Sequence, residues 1–125
     1  KETAISIIEG GADVISPMAN DASVGIMEAG EEKGVMAVGC GLGQESSAPT
    51  ATKIIIVKDV AIAIKSTFDA YAKGELNPTE VETYGANKGV VYATEWFGDV
   101  NDEAKTRLQE TIDKMAKGEV EISLQ

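Results

Sequence analysis

The chain has 125 residues, 43% of them hydrophobic, which is the length of one domain and enough to bury a core. Its net charge of −10 opposes a phosphate backbone, no Lys/Arg cluster offsets it, and nucleic acid is excluded as an expected partner. One cysteine and no histidine remove an internal disulfide, the usual catalytic triads and imidazole metal sites.

In chain order, Ala4, Ile7 and Ile8 fit helical spacing from the first residues, and Gly10-Gly11 stops that helix. Because Lys1-Glu2-Thr3-Ala4 already looks like a helical turn, the chain is expected to be cut from something longer. Ala12 to Ser16 follows as a short buried strand closed by Pro17. Asp21 or Ser23 is expected to cap a helix with Ala22, Ile26, Met27 and Ala29 on its face, ended by Lys33-Gly34. A strand over Val35 to Val38 comes next and runs into Gly39-Cys40-Gly41-Leu42-Gly43-Gln44.

The β-branched run from Thr52 to Val57 is too apolar for a one-sided sheet. It leads into a helix with Val60, Ala63, Ile64, Thr67, Phe68 and Tyr71 on one face, capped by Asp59 and stopped by Lys73-Gly74. Val81 to Tyr84 and Val90 to Ala93 read as two strands, antiparallel around an Asn87-Lys88-Gly89 turn. The last helix is expected from Asn101 to Lys117 with Ala104, Leu108, Ile112 and Met115 inward, and a strand over Val120 to Leu124 closes the chain. Short strands alternating with helices predict an α/β fold in three layers, a mostly parallel sheet with helices on both faces. In such sheets ligands sit beyond the carboxyl ends of the strands.

The loops that qualify are Ser16 to Ser23, Cys40 to Thr50, and Val57-Lys58-Asp59. A dinucleotide fingerprint needs a third glycine opening a helix, but Gln44 stands there, before a poor helix start. The glycine turn is therefore read first as a flexible turn or a loop whose backbone approaches a small ligand, with a nucleotide phosphate the least favoured of the three. Lys58 is either a solvated charge or a ligand-facing donor, and its apolar surroundings favour the second. Asn20 offers polar contacts, although capping competes as an explanation, and Met18 is core filler or an adaptable apolar wall. Cys40 has no neighbouring base or cation in sequence and reads as a buried, inert thiol. Trp96-Phe97 is expected to pack against the sheet or a neighbour. No catalytic constellation, cofactor motif or metal-ligand spacing stands out, so no enzyme is expected.

Several segments in this order resemble one family. "KETAISIIEGGADVISP" is similar to a helix followed by G-A-D-V-I-F-P, and "GIMEAGEEKGVMAVG" to V-x-x-A-K-E-K-G-x-x-A-I-G. Gln44, Pro49 and Lys58 fall on matching positions of V-D-S-D-Q, a proline and a strand ending S-V-V-K-R-V-D-V-A-V. "YGANKGVVY" and "NDEAKTRLQETIDKMAKGEVEI" resemble the later Y-G-L-K-E-G-G-V and the closing helix with its G-E-I ending. The family is the basic-membrane-protein (BMP) group, substrate-binding lipoproteins of ABC importers whose best-understood members bind purine nucleosides, and the likeness is to its C-terminal lobe.

The resemblance implies a type I periplasmic-binding-protein lobe, flavodoxin-like in its layers, across residues 1–125. Its implied partners are a small-molecule ligand, a membrane permease and an N-terminal lobe outside the chain. It also implies export and a lipid anchor carried elsewhere. Together with the strand-end loops read above, it places Lys58, Gly41, Gly43, Gln44, Ser16, Met18 and Asn20 along the ligand. Two departures bear on the ligand: glycines at 41 and 43 replace the family's aspartates, and Ser16 replaces an aromatic. A ribose hydroxyl left without its carboxylate costs about 1–3 kcal/mol, so a purine nucleoside is not expected to be held in the family's way. The competing expectations are a flavodoxin-like regulatory or interaction domain, which lacks an acidic pocket at the strand ends, and a nucleotide-binding enzyme domain, which the missing third glycine disfavours.

Overall fold

The structure, a computed structural model, describes residues 1–120; the strand expected over Val120 to Leu124 falls, apart from Val120, outside them. The described chain forms two compact units: Lys1–Val57 with Ala93–Asn101, and Lys58–Tyr92 with the chain from Asp102 onward. Four strands lie in one sheet in chain order, β1 (Val14–Ile15), β2 (Met36–Gly39), β3 (Thr52–Lys58) and β4 (Val91–Ala93). The class is α/β with a mainly parallel sheet, as the alternation of elements predicts.

In the first unit, α1 (Glu2–Glu9) packs on α2 (Ser23–Lys33). β1 and β2 pair in parallel with Val14 opposite Met36, and β2 and β3 pair in parallel with Gly39 opposite Ile55. Beyond the strands the chain returns antiparallel to β3: the Thr94 N–H donates to the Ile55 carbonyl and the Phe97 N–H to the Lys53 carbonyl, each at 2.9 Å. Trp96 and Phe97 are half-buried there, in keeping with packing on the sheet.

Around Met27 the core combines alanines with branched side chains. Met27, Ala29, Ala37 and Ala48 are fully buried, joined by Ile15 and Ala51, with Ile8, Ile26 and Val35 packed against them. Small residues let helix and strand approach closely, and a Cβ added at Gly30 of α2 would stand 2.7 Å from Ile15 Cδ1 of β1. The α2 start differs from expectation. Neither Asp21 nor Ser23 caps it: Ala22 holds the cap position, and the buried Ser23 hydroxyl accepts the Ala19 N–H at 3.2 Å. Closing of the preceding loop by this hydroxyl takes precedence over capping. The α2 end is as expected, with Gly34 left-handed at φ 68° after Lys33.

Glu31 ties α2 to the entry of β3. Its carboxylate accepts the Thr50 hydroxyl at 2.6 Å, the Thr50 N–H at 3.0 Å and the Ala51 N–H at 2.8 Å. These bonds, the Thr50 hydroxyl first and the Ala51 N–H next, hold the Glu31 carboxyl below its ordinary pKa of 4.5. A depressed folded-state pKa gives stability that is complete above the unfolded value and is lost as pH falls through the folded one. The urea midpoint of Glu31→Gln is therefore expected below wild type at neutral pH, with the gap closing under acid conditions. A gap that widens in acid contradicts the tether.

In the second unit, α3 (Val60–Lys73) is capped as expected: the Asp59 carboxylate accepts the Ala61 and Ile62 N–H groups at 3.0 and 3.3 Å. Gly74 ends it at φ 73°. Its apolar stripe of Val60, Ile64, Phe68 and Tyr71 is exposed. The strand expected over Val81 to Tyr84 does not form, and with it goes the antiparallel pair. Val81 is 96% exposed, so the alternation of apolar and polar residues there has no sheet to bury it. Instead Tyr84 donates to the Glu82 carboxylate at 2.9 Å and contacts the Thr67 hydroxyl at 3.1 Å, while Lys88 pairs with Glu82. A 3-10 turn (Ala86–Lys88) and left-handed Gly89 then lead into β4. α4 (Asp102–Ala116) contacts that turn, with Leu108, Ile112 and Met115 half-buried and Ala104 exposed.

Candidate functional site

Parallel pairing puts the carboxyl ends of β1 and β2 on one edge of the sheet, and two loops leave that edge side by side. After Ile15, Ser16 is exposed while Pro17 is fully buried and anchors the turn. Asn20 sits at φ 49°, and among the described residues it is the one non-glycine with positive φ. Asparagine tolerates that conformation better than branched residues do. The second loop begins at Cys40, whose sulfur lies 3.5 Å from the Ser16 hydroxyl and so joins the roots of the two loops.

The second loop is closed by its own groups. The Cys40 N–H donates to Gln44 Oε1 at 2.8 Å, and the Gln44 N–H donates to the Gly41 carbonyl at 3.3 Å. The Gly43 carbonyl accepts both the Ser46 N–H at 3.2 Å and the Ser46 hydroxyl at 2.7 Å. Gln44–Ser47 forms a 3-10 turn rather than an α-helix, so no helix start faces the loop as a dinucleotide fingerprint requires. The two candidate glycines serve different ends. Gly43 lies at φ 89°, where a side chain is strained, whereas Gly41 has an ordinary φ and an added Cβ would make only ordinary contacts with Gln44.

The sequence-predicted residues fall as follows. Ser16, Met18 and Asn20 share the β1 loop, and Gly41, Gly43 and Gln44 share the β2 loop, with Ser16 and Cys40 in contact between them. Lys58 is the last residue of β3, exposed, with no ion pair among the described residues, and belongs to the second unit. Cys40 departs from expectation: it is half-buried at the loop junction, beside the Ser16 hydroxyl, rather than sealed in the core. Sequence reasoning also passed over Leu42, which is 68% exposed, as Met18 is at 76% on the neighbouring loop. Glu45 Oε2, just beyond Gln44, is buried without a hydrogen-bond partner among the described residues.

Three concavities formed by the described residues are lined by none of Gly41 to Gln44. One of about 660 Å³ in the second unit is lined by residues including Leu76, Pro78 and Tyr84. Another of about 430 Å³ in the first unit runs from α1 to Ser16. Among the described residues no group of three or more carboxylates and thiols could hold a metal, and no helix is long and apolar enough to cross a membrane.

Solved structures share this fold at low sequence identity. A transcriptional activator of the comK gene from Bacillus halodurans superposes with a TM-score of 0.81 at 21% identity over 92% of this chain. An ABC transporter system solute-binding protein from Conexibacter woesei superposes with a TM-score of 0.68 at 18% identity over 98% of it. The chain spans 40% and 41% of the lengths of those two proteins. No curated protein matches it by sequence. A family described as ABC transporter substrate-binding protein PnrA-like matches residues 1–124. With the loop pair at the sheet's carboxyl edge and a match over nearly its whole length, the chain belongs to the Bmp family of PnrA-like substrate-binding proteins.

Proposed function

We propose that the chain is part of the substrate-binding component of an ABC importer and forms one wall of a cleft for a small polar metabolite. The observation that carries this reading is the family match across residues 1–124. The backbone of Gly41 to Gln44 and the segment from Ser16 to Asn20 line the ligand, and Lys58 serves as a polar anchor. A second lobe supplies the opposite wall, and hinge closure traps the ligand and presents it to the permease. No chemistry is done on the ligand. The receptor acts outside the cytoplasmic membrane, held there by a lipid anchor.

The absence of carboxylates at positions 41 and 43 separates the ligand from a ribose bound by its hydroxyls. The net charge of −10 also argues against direct contact with DNA, although the Bacillus neighbour is a transcriptional activator.

A thermal-shift screen with nucleosides, nucleobases, monosaccharides, short carboxylic acids and nucleotides tests the proposal. A ligand at a hundredfold excess over its Kd stabilises by about 2.7 kcal/mol. At least one small metabolite is expected to do so, and Lys58→Ala is expected to weaken its binding about tenfold, the loss of one charged hydrogen bond. Stabilisation by NAD alone, with none by small metabolites, overturns the reading.

A further inference from the structure

We infer that the Gln44 side-chain nitrogen is a preset hydrogen-bond donor for the ligand, and that the ligand places an acceptor, a carbonyl or carboxylate oxygen, in the space over Gly41. The inference rests on the strand-end loops being the binding site and adds the polarity that this site demands.

The orientation of the Gln44 amide is settled by chemistry. A backbone N–H can only donate, so the amide atom 2.8 Å from the Cys40 nitrogen is the oxygen Oε1. The amide nitrogen Nε2 must then face the other way with two hydrogens to give. It stands 3.5 Å from the place a Cβ on Gly41 would occupy. Among the described residues Nε2 has no acceptor, while Oε1 is held by the Cys40 N–H.

The space it faces is not left open by any need of the fold. In this loop the left-handed residue is Gly43, and Gly41 has an ordinary φ. A side chain at position 41 would meet Gln44 at 3.5 and 3.9 Å, ordinary van der Waals contact. Neither backbone strain nor crowding therefore accounts for the glycine. An aspartate there would lie within reach of Nε2 and take its hydrogen bond; glycine leaves the donor uncovered. A donor enclosed by cleft closure without a partner is costly, which selects ligands that bring an acceptor to it.

The test is calorimetric titration of the polypeptide as it is naturally produced, using the strongest binder from the nucleoside, nucleobase, monosaccharide and carboxylic-acid panel together with its analogue lacking the acceptor oxygen. Gln44→Glu retains an oxygen for the Cys40 N–H and replaces the donor with an anionic acceptor, so its urea midpoint reports whether the loop is intact. Gly41→Asp supplies an internal acceptor at the same place. Both variants are expected to weaken the binder about tenfold or more. The analogue is expected to bind wild type and Gln44→Glu alike, because the interaction that distinguishes them is already missing. Equal binding of the panel's best ligand by wild type and Gln44→Glu overturns this inference and leaves the site standing. Failure of wild type to bind any panel member overturns the site reading, and this inference with it.

Discussion

Met27→Ala is expected to lower the stability of the first unit by about 2–5 kcal/mol, towards the upper part of that range. Met27 is fully buried on α2, and the residues around it in the core include Ala37, Ala48 and Ala51. Alanines have no side-chain freedom with which to collapse into a vacated space, so the cavity persists. Against a total of about 5–15 kcal/mol for an ordinary domain, this loss removes a large share of the margin. Urea denaturation followed by circular dichroism checks it: the midpoint falls while the slope is retained. Val24→Ala on the exposed face of the same helix is expected to change stability by less than about 0.5 kcal/mol. Equal effects at the two positions contradict the core as described.

Gly39→Ala is expected to cost about 1–3 kcal/mol, because an added methyl has no room. Its Cβ would stand 2.9 Å from Ile55 Cγ1, and Ile55 is itself fully buried on the next strand and cannot yield cheaply. The same methyl crowds Gln44 Oε1, the acceptor that closes the loop on the Cys40 N–H. The substitution thus couples packing to the site: stability falls and the Gln44 amide is displaced together. Gly41→Ala, two residues on, has ordinary contacts and ordinary φ and is expected to be neutral or slightly stabilising through the unfolded chain. Paired urea melts separate the two glycines. A cost at Gly41 equal to that at Gly39 contradicts the geometry assigned to this loop.

Much of the fold was legible because its punctuation is chemical and local. Lys33-Gly34, Lys73-Gly74 and Lys117-Gly118 each place glycine in the left-handed region, at φ 68°, 73° and 72°, where it ends a helix after a cation suited to the negative helix end. Asp59 was readable as a cap for the same reason, since its carboxylate acts on N–H groups two and three residues on. What failed depended on distant partners. Val81 to Tyr84 alternates as a strand should, but a strand needs a neighbour, and Tyr84 finds Thr67 and Glu82 instead. Ser23 had the composition of a cap, yet its hydroxyl serves the Ala19 N–H.

The candidate site was legible to the level of loops and no further. Glycine, proline and the end of an apolar run mark where strands stop, which places Ser16 to Asn20 and Gly41 to Gln44 at the sheet's carboxyl edge. That Gly43 is needed for its conformation and Gly41 is not could not be told from two identical letters. The fold-back of Gln44 onto Cys40 depends on the path of the intervening turn, and the exposure of Leu42 on how far that turn stands from the sheet.

The central claim is that these strand-end loops hold a small molecule. Amide chemical-shift mapping during titration with the strongest binder from the metabolite screen tests it most directly. Saturable shifts are expected, concentrated at Ser16 to Asn20 and Cys40 to Gln44. Shifts confined to the groove around Leu76, Pro78 and Tyr84, with the strand-end loops unmoved, would contradict it.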